Sequence, residues 1–104
     1  MSSKFGFDKV RENDVLTFSV RGRIDTESSP ELDGAVKPEL DGVNKLILDL
    51  SGVEYISSSG LRVLLSLNKI LAAKGGEFII RKPSQMVTEV FDITNFSEIL
   101  NIEK

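Results

Sequence analysis

The feature that most constrains the fold of this chain is a nearly unbroken apolar run at residues 46–50, which read Leu-Ile-Leu-Asp-Leu. A strand with one face in water alternates apolar and polar residues, whereas a continuous apolar run needs cover on both faces. Strands of this kind are typical of parallel sheets with helices packed on them. We therefore predict that residues 46–50 form the central strand of an α/β fold.

The residues before this run predict a hairpin. Leu16, Phe18 and Val20 alternate with polar residues, which indicates a half-buried strand. Residues 5–11 are a weaker strand candidate, and the polar residues 12–14 favour a turn between the two segments. The two strands are therefore expected to pair with each other at the start of the domain.

A short helix is expected between the hairpin and the central strand. Ser28 and Ser29 carry hydroxyls that can accept hydrogen bonds from the free N–H groups at a helix start, and Pro30 suits the first helical position. Gly34 and Pro38 weaken the helical pattern, so the helix should be short or kinked. Its inward apolar residues are expected to be Leu32, Val36 and Leu40.

Two more helices and at least one strand are expected after the central strand. Apolar residues recur at helical spacing from residue 61 to 74, and Gly75-Gly76 ends that helix. Residues 78–80 predict a short buried strand, Pro83-Ser84 a last helix, and residues 99–102 a short edge strand. The residues that set the helical spacings are Leu61, Leu64, Leu65, Leu71 and Ala72, with Val63, Leu67 and Ile70 on a second face, and Met86, Val87, Val90 and Phe91 in the last helix. The predicted order is β-β-α-β-α-β-α-(β), a mixed sheet of four to five strands with helices packed on it.

The composition excludes several classes of function. A chain of 104 residues is near the usual size of one domain, and we expect a single domain over residues 1–104. The net charge of −3 argues against sequence-independent binding to nucleic acid or to an anionic membrane. The chain has no Cys and no His, which removes thiolate nucleophiles, imidazole bases and the usual metal ligand sets, so no cofactor or metal is expected. No apolar run approaches the ~20 residues that span a bilayer, and we expect a cytoplasmic protein.

Three consecutive hydroxyl residues, Ser57, Ser58 and Ser59, join the central strand to the leucine-rich helix. Side-chain oxygens and free N–H groups at a helix start lie at the positive end of the helix dipole, which favours an anion or a phosphate. Helix capping alone also explains such residues. A nucleophilic serine is a further alternative, although no His is there to activate it.

Residues 49–61, which read DLSGVEYISSSGL, resemble together with Leu64 and Leu65 the signature of STAS domains, in particular that of the bacterial anti-sigma factor antagonists. Weaker similarities at residues 22–25, 30–32, 75–76 and 87–96 extend the resemblance over nearly the whole chain. The resemblance implies a single STAS-like α/β domain with a regulatory role and no enzymatic activity.

The resemblance also implies a phosphorylation switch. In the family motif Asp-Ser-Ser/Thr-Gly, the first serine is phosphorylated by a partner that is both an anti-sigma factor and a serine kinase. That serine aligns with Ser58, followed by Ser59 and Gly60, whereas the aspartate of the motif falls on Ser57. This departure bears on the efficiency of phosphorylation, and Ser57 and Ser59 are alternative acceptors ranked below Ser58. A phosphatase that removes the phosphate from Ser58 is implied as a second partner.

We therefore predict that the unmodified protein, a monomer when free, binds the anti-sigma factor and releases the sigma factor, and that a phosphate on Ser58 blocks this contact. The predicted partner-binding residues are Ser57, Ser58, Ser59, Gly60, Arg62, Ser66 and Lys69. Arg62 follows Ser58 by one helical turn, so it is expected to pair with the phosphate, to contact the partner, or to be an ordinary solvated residue. The alternative function is a STAS-type module that binds a nucleotide, another anion or a scaffold partner without phosphorylation.

Other conspicuous residues have ordinary structural explanations. Asp25 and Asp49 are a candidate carboxylate pair, but Asp49 is expected to end the central strand and to hold the following turn. Tyr55 is expected to pack beside the serine loop, and Phe91 and Phe96 to lie in the core.

Overall fold

The apolar run at residues 46–50 lies in the middle strand of a five-stranded sheet, as its pattern predicts. The structure is a computed structural model, and it describes residues 4–104. The strands follow one another across the sheet in their order along the chain. The elements are β1 (Gly6–Glu12), β2 (Val15–Ile24), α1 (Ser28–Val36), a 3-10 turn (Lys37–Glu39), β3 (Lys45–Ile56), α2 (Ser58–Ala73), β4 (Glu77–Arg81), α3 (Gln85–Ile93), α4 (Phe96–Ile99) and β5 (Asn101–Glu103).

The sheet is mixed, as predicted. β1 and β2 form the antiparallel hairpin, and its turn includes Asn13 at a φ of 58°, a left-handed conformation that asparagine tolerates. β2, β3, β4 and β5 run parallel to one another. Parallel strands with one direction have their carboxyl ends at the same edge of the sheet, so the loops after β2, β3 and β4 meet there. That edge carries the three serines.

The main apolar core lies against one face of the sheet. β3 contributes Leu46, Leu48 and Leu50 to this core, and all three are fully buried. Ile47 points to the opposite face, outside this core, and is still only 4% exposed, with Ile79 of β4 as its cross-strand neighbour. The burial of both faces that the apolar run predicts is therefore confirmed.

The helices lie close to their predicted positions. α1 has nine residues, and the 3-10 turn that contains Pro38 follows it directly. The prediction that Pro30 occupies the first helical position is wrong, because α1 begins at Ser28 and Pro30 is its third residue. α2 ends before Gly75, whose φ of 74° is the left-handed conformation that favours glycine after a helix. Within residues 4–104, no helix combines the length and the apolar character that crossing a bilayer requires.

The helical spacing places Ala72 and Met86 on the inner faces of their helices, but both residues are exposed. Each lies one position, or about 100° of helical rotation, from a residue that is fully buried. The buried residues that define the inner faces are Leu61, Leu64, Leu67 and Leu71 in α2, and Val87 and Phe91 in α3.

The expectation that Asp49 ends the central strand is wrong, because β3 continues to Ile56. The register of the pairing between β2 and β3 shifts after Ser19 and after Gly22, and the pairing resumes after each shift, up to Ile24 and Ile56. Asp49 holds a local contact instead. Its Oδ1 accepts hydrogen bonds from the N–H and the hydroxyl of Ser51, at 2.9 and 2.7 Å.

The end of the chain differs from the prediction of one strand at residues 99–102. Ile99 is the last residue of the short helix α4, and β5 begins only at Asn101. α4 was not predicted, since four residues are too few to show a helical period. Phe91 is fully buried and Phe96 packs against the core, as predicted.

Candidate functional site

Ser57 begins α2 and attaches its first turn to the sheet. Its backbone is extended, and its N–H donates to the carbonyl oxygen of Ile24 at 2.8 Å. Its Oγ accepts a hydrogen bond from the N–H of Gly60 at 3.2 Å. The first contact joins the helix start to the end of β2, and the second satisfies one of the free N–H groups of the first turn. The capping prediction is confirmed, and Ser57 is the serine that caps.

Ser58 and Ser59 have different surroundings. Ser58 is the first residue of α2 and is exposed, and the hydrogen bonds found within residues 4–104 leave its hydroxyl unused. Ser59 is half-buried and lines a groove between α1 and α2. The exposed hydroxyl of Ser58 is therefore open to the active site of another protein, whereas the described part of this chain places no base on it.

Gly60 lies below these serines and is buried. A Cβ at this position would lie 2.7 Å from both Ile24 Cγ2 and Ile56 Cγ1. The lack of a side chain thus allows the first turn of α2 to approach the ends of β2 and β3. Gly60 therefore seats the helix beneath the exposed serines, and its contact with a partner stays a prediction.

Arg62, Ser66 and Lys69 follow Ser58 along one side of α2. Arg62 and Lys69 are exposed, and Ser66 is half-buried. The ion pairs formed by residues 4–104 involve neither of the two cations. Both are therefore free to meet an anion or a partner, and Arg62 lies one helical turn after Ser58.

A groove of about 420 Å³ opens between α1 and α2 beside the serines. Its lining residues are Thr26, Ser29, Pro30, Asp33, Ser59, Arg62 and Val63. The groove joins Ser59 and Arg62 of the predicted site to α1, a helix that no motif in the sequence connects with function. No sequence spacing signals this groove, because it arises from the packing of two helices that follow different strands.

The loop between β2 and α1 borders the groove. The Oδ1 of Asp25 accepts hydrogen bonds from the N–H groups of Glu27 and Ser28, at 3.0 Å each. The start of α1 is therefore satisfied by a carboxylate, which corrects the prediction that a serine hydroxyl caps it. The hydroxyls of Ser28 and Ser29 instead donate to the carbonyl oxygens of Arg23 and Asp25, at 2.6 and 2.5 Å. The pKa of Asp25 is below its ordinary value, mainly because the N–H of Ser28 donates a hydrogen bond to the carboxylate.

A second cavity, of about 440 Å³, lies on the other side of this loop. It is lined by Lys4, Phe5, Arg23, Asp25, Glu27, Ser28 and Glu31. The guanidinium of Arg23 lies 4.3 Å from the centre of the half-buried Tyr55 ring, a cation–π contact between paired positions on β2 and β3. Packing of Tyr55 beside the serine loop stays a prediction.

The structure does not bring Asp25 and Asp49 together. Asp25 follows Ile24, which pairs with Ile56 at the far end of β3, whereas Asp49 lies seven residues earlier on that strand and bonds to Ser51. Within residues 4–104, no group of carboxylates is arranged as a metal site. The arrangement at this edge offers an exposed hydroxyl, the cation of Arg62 and a groove, which suits docking and group acceptance, and Lys69 lies further along α2.

Comparisons with known proteins agree with this fold. A profile of the STAS domain matches residues 7–104. The anti-sigma-B factor antagonist of Bacillus subtilis is 31% identical over 94 residues, which make up 90% of this chain and 85% of that protein. The anti-sigma factor antagonist SpoIIAA in its unphosphorylated form has a TM-score of 0.81 at 17% identity, over 97% of this chain and 89% of that one. SpoIIAA, a cell fate determinant of Bacillus, has a TM-score of 0.73 at 16% identity in its phosphorylated form, over 97% of this chain and 92% of that one.

These findings have different weight. The two SpoIIAA structures, at 17% and 16% identity, establish likeness of fold alone. The family profile extends over nearly all of the described chain, and the Bacillus subtilis relative is similar over most of its own length. The resemblance found at residues 49–65 is confirmed, and the chain belongs to the STAS domain family.

Proposed function

We propose that this protein is an anti-sigma factor antagonist that binds a kinase-type anti-sigma factor when unmodified and loses this contact when Ser58 is phosphorylated. The observation that carries the proposal is the exposed, unengaged hydroxyl of Ser58 at the first position of a capped helix. The family, and the Bacillus subtilis relative named as an anti-sigma-B factor antagonist, support the class of partner.

The phosphoryl transfer needs little from this chain. The γ-phosphoryl group of ATP moves to the Ser58 Oγ, a base of the kinase takes the serine proton, and ADP leaves. The partner supplies the nucleotide and the base, so a chain without Cys and His can take part as the acceptor. The cap at Ser57 holds the hydroxyl at a defined position for the transfer.

The proposed docking surface surrounds Ser58. It consists of the exposed part of the three serines, the groove between α1 and α2, and the strip of Arg62, Ser66 and Lys69 on α2. A phosphate adds about −1.5 to −2 charge, which takes the net charge from −3 to about −5 and places a strongly hydrated group inside the contact. Burying that group against a partner would cost desolvation energy, and Arg62 would be drawn to the phosphate. Both effects weaken docking.

The test uses the unmodified protein and Ser58→Asp as baits in the native extract, followed by incubation of the captured partner with this protein and ATP. We expect the anti-sigma factor on the unmodified bait alone, and one phosphate, mapped to Ser58, after incubation. Equal retention by the Ser58→Asp and Ser58→Ala baits would contradict the switch. Nucleotide bound without any modification would favour the alternative of a ligand-sensing module.

Gln85→Asp is the matched control for the bait. Gln85 is the exposed first residue of α3, a helix that is also capped by a serine, so this variant adds the same charge at an equivalent position. We expect Gln85→Asp to retain the partner as the unmodified protein does. Loss of the partner from this control would show that added charge alone, and not its place at Ser58, weakens binding.

Two further statements belong to the same proposal. The free protein is a monomer, because its proposed docking surface is used by a different protein, and sedimentation of the purified chain tests this. A phosphatase resets the switch, and recovery of bait binding after phosphate removal from Ser58 tests that step.

A further inference from the structure

Three large apolar side chains on α3 and α4 are exposed to water. Ile93 is 82% exposed, Ile99 53% and Met86 50%. Met86 and Ile93 lie two turns apart and therefore on the same side of α3, and α4, which carries Ile99, packs against α3. A single exposed apolar residue is ordinary, but three on two adjoining helices indicate an interaction surface. We call Met86, Ile93 and Ile99 the α3–α4 patch.

The charged residues of α3 and α4 are all acidic. Between residues 85 and 100 the chain has Glu89, Asp92 and Glu98 and neither Lys nor Arg. All three acids are exposed, and the ion pairs found among residues 4–104 include none of them. A surface that pairs apolar side chains with unneutralised acids fits a partner with apolar side chains and positive charge.

We propose that the α3–α4 patch binds a basic amphipathic helix of a partner protein. The apolar side of that helix would cover Met86, Ile93 and Ile99, and its Lys or Arg residues would meet Glu89, Asp92 and Glu98. A second copy of this chain would bring the same acids face to face, so self-association is disfavoured. Anionic lipid and nucleic acid are repelled for the same reason. The inference goes beyond the proposed function, because it uses neither Ser58 nor the groove between α1 and α2.

The test uses a synthetic amphipathic peptide of leucine and lysine at helical spacing, and a counterpart in which glutamate replaces every lysine. Binding is followed by NMR through the methyl signals of Met86, Ile93 and Ile99. We expect the lysine peptide to shift these signals and the glutamate peptide to leave them unchanged. Raising the salt from 0.1 M to 1 M shortens the screening length from about 10 to about 3 Å, and should weaken binding several-fold.

Variants locate the contact. Ile93→Ser and Met86→Ser change exposed side chains, so both should fold, and each should weaken the binding of the lysine peptide at least fivefold. Val10→Ser is the matched control, because Val10 is 59% exposed on β1, away from the patch, and should bind like the unmodified protein. Ser58→Asp should also bind the peptide normally, which separates this result from the fate of the proposed switch. Undiminished binding to Ile93→Ser and Met86→Ser, methyl shifts elsewhere, or no binding of the lysine peptide would overturn the proposal.

Discussion

Three neighbouring serines with identical side chains have different tasks because the backbone places them differently. Ser57 is extended and caps α2, Ser58 is exposed at the first helical position, and Ser59 lines the groove. The sequence alone could not assign these tasks, since a cap can fall on any of several residues before a helix. The family resemblance ranks Ser58 first as the acceptor, and its exposure is what a kinase would need.

Two glycines in helices should respond to alanine in opposite directions. At Gly60 a Cβ would lie 2.7 Å from two isoleucine side chains, so Gly60→Ala should lower the free energy of unfolding by about 1–3 kcal/mol. At Gly34 in α1 nothing lies within 4 Å of the added atom. Gly34→Ala should therefore raise the stability by about 0.5–1 kcal/mol, because alanine favours a helix interior. Urea unfolding of both variants measures this, and stabilisation by Gly60→Ala would contradict the close seating of α2.

The carboxylate of Asp25 predicts a dependence of stability on pH. Its pKa is lowered in the folded protein, mainly by the N–H of Ser28. A carboxyl group with a lowered folded pKa stabilises the protein above its unfolded pKa, near 3.9, and this contribution is lost as the pH falls through the folded pKa. Asp25→Asn should therefore be less stable than the unmodified protein at pH 7, and the difference should shrink below about pH 4. Urea midpoints measured across this range test the sign, and a difference that grew on acidification would contradict it.

At the scale of elements, helix caps at the edge of the sheet also serve as joints to the strands. The hydroxyl of Ser84 accepts a hydrogen bond from the N–H of Val87 in α3 and donates one to the carbonyl oxygen of Val53 in β3, at 2.7 Å. Ser57 uses its backbone N–H for the corresponding link to Ile24, so its hydroxyl serves the helix alone. Side-chain substitutions should therefore affect the two helix starts unequally.

Ser57→Ala should lower the stability by about 1 kcal/mol, because it removes the cap and leaves the backbone link intact. Ser84→Ala should cost more, since it also removes the bond to β3. Ser57→Asp keeps an oxygen for the cap and adds negative charge at the positive end of the helix, so its stability should equal or exceed that of the unmodified protein. Thermal unfolding ranks the three variants, and a Ser57→Ala variant as stable as Ser57→Asp would contradict the cap as the stabilising contact.

The elements that were predicted correctly show a strand or helix period in their own apolar residues, without reference to any other segment. Leu16, Phe18 and Val20 show the strand period, and the leucines of α2 show the helical period, since each pattern reports one buried face. The continuation of β3 to Ile56 could not be read in this way, because it depends on irregular pairing with β2. α4 could not be predicted either, because four residues are too few to show a helical period. It is held by packing against α3 and by the turn at Asn95.

At the scale of the whole molecule, the site depends on topology. Ser57–Gly60 and the strip on α2 can be assigned to one site from the sequence, because those residues lie in one continuous segment. Asp25 and the α1 side of the groove are distant in sequence, so no spacing connects them with that segment. The parallel strands bring the loops after β2 and β3 to one edge, and the pairing of Ile24 with Ile56 places them side by side. Such a site can be predicted only after the strand order is known.

Phosphorylation of Ser58 should change the surface of the molecule and leave its fold intact. The added phosphate lies at the positive end of a helix of 16 residues, where a negative charge typically stabilises by about 0.3–1 kcal/mol. For a domain of this size, this predicts a melting temperature about 1 to 8 °C higher than that of the unmodified protein. Amide NMR shifts should be confined to the start of α2, the end of β2 at Ile24, the groove and Arg62, while β1 and the turn of the β1–β2 hairpin keep their spectrum. A lower melting temperature, or shifts spread across the sheet, would mean that the switch acts by loosening the fold, and the altered-surface mechanism would have to be abandoned.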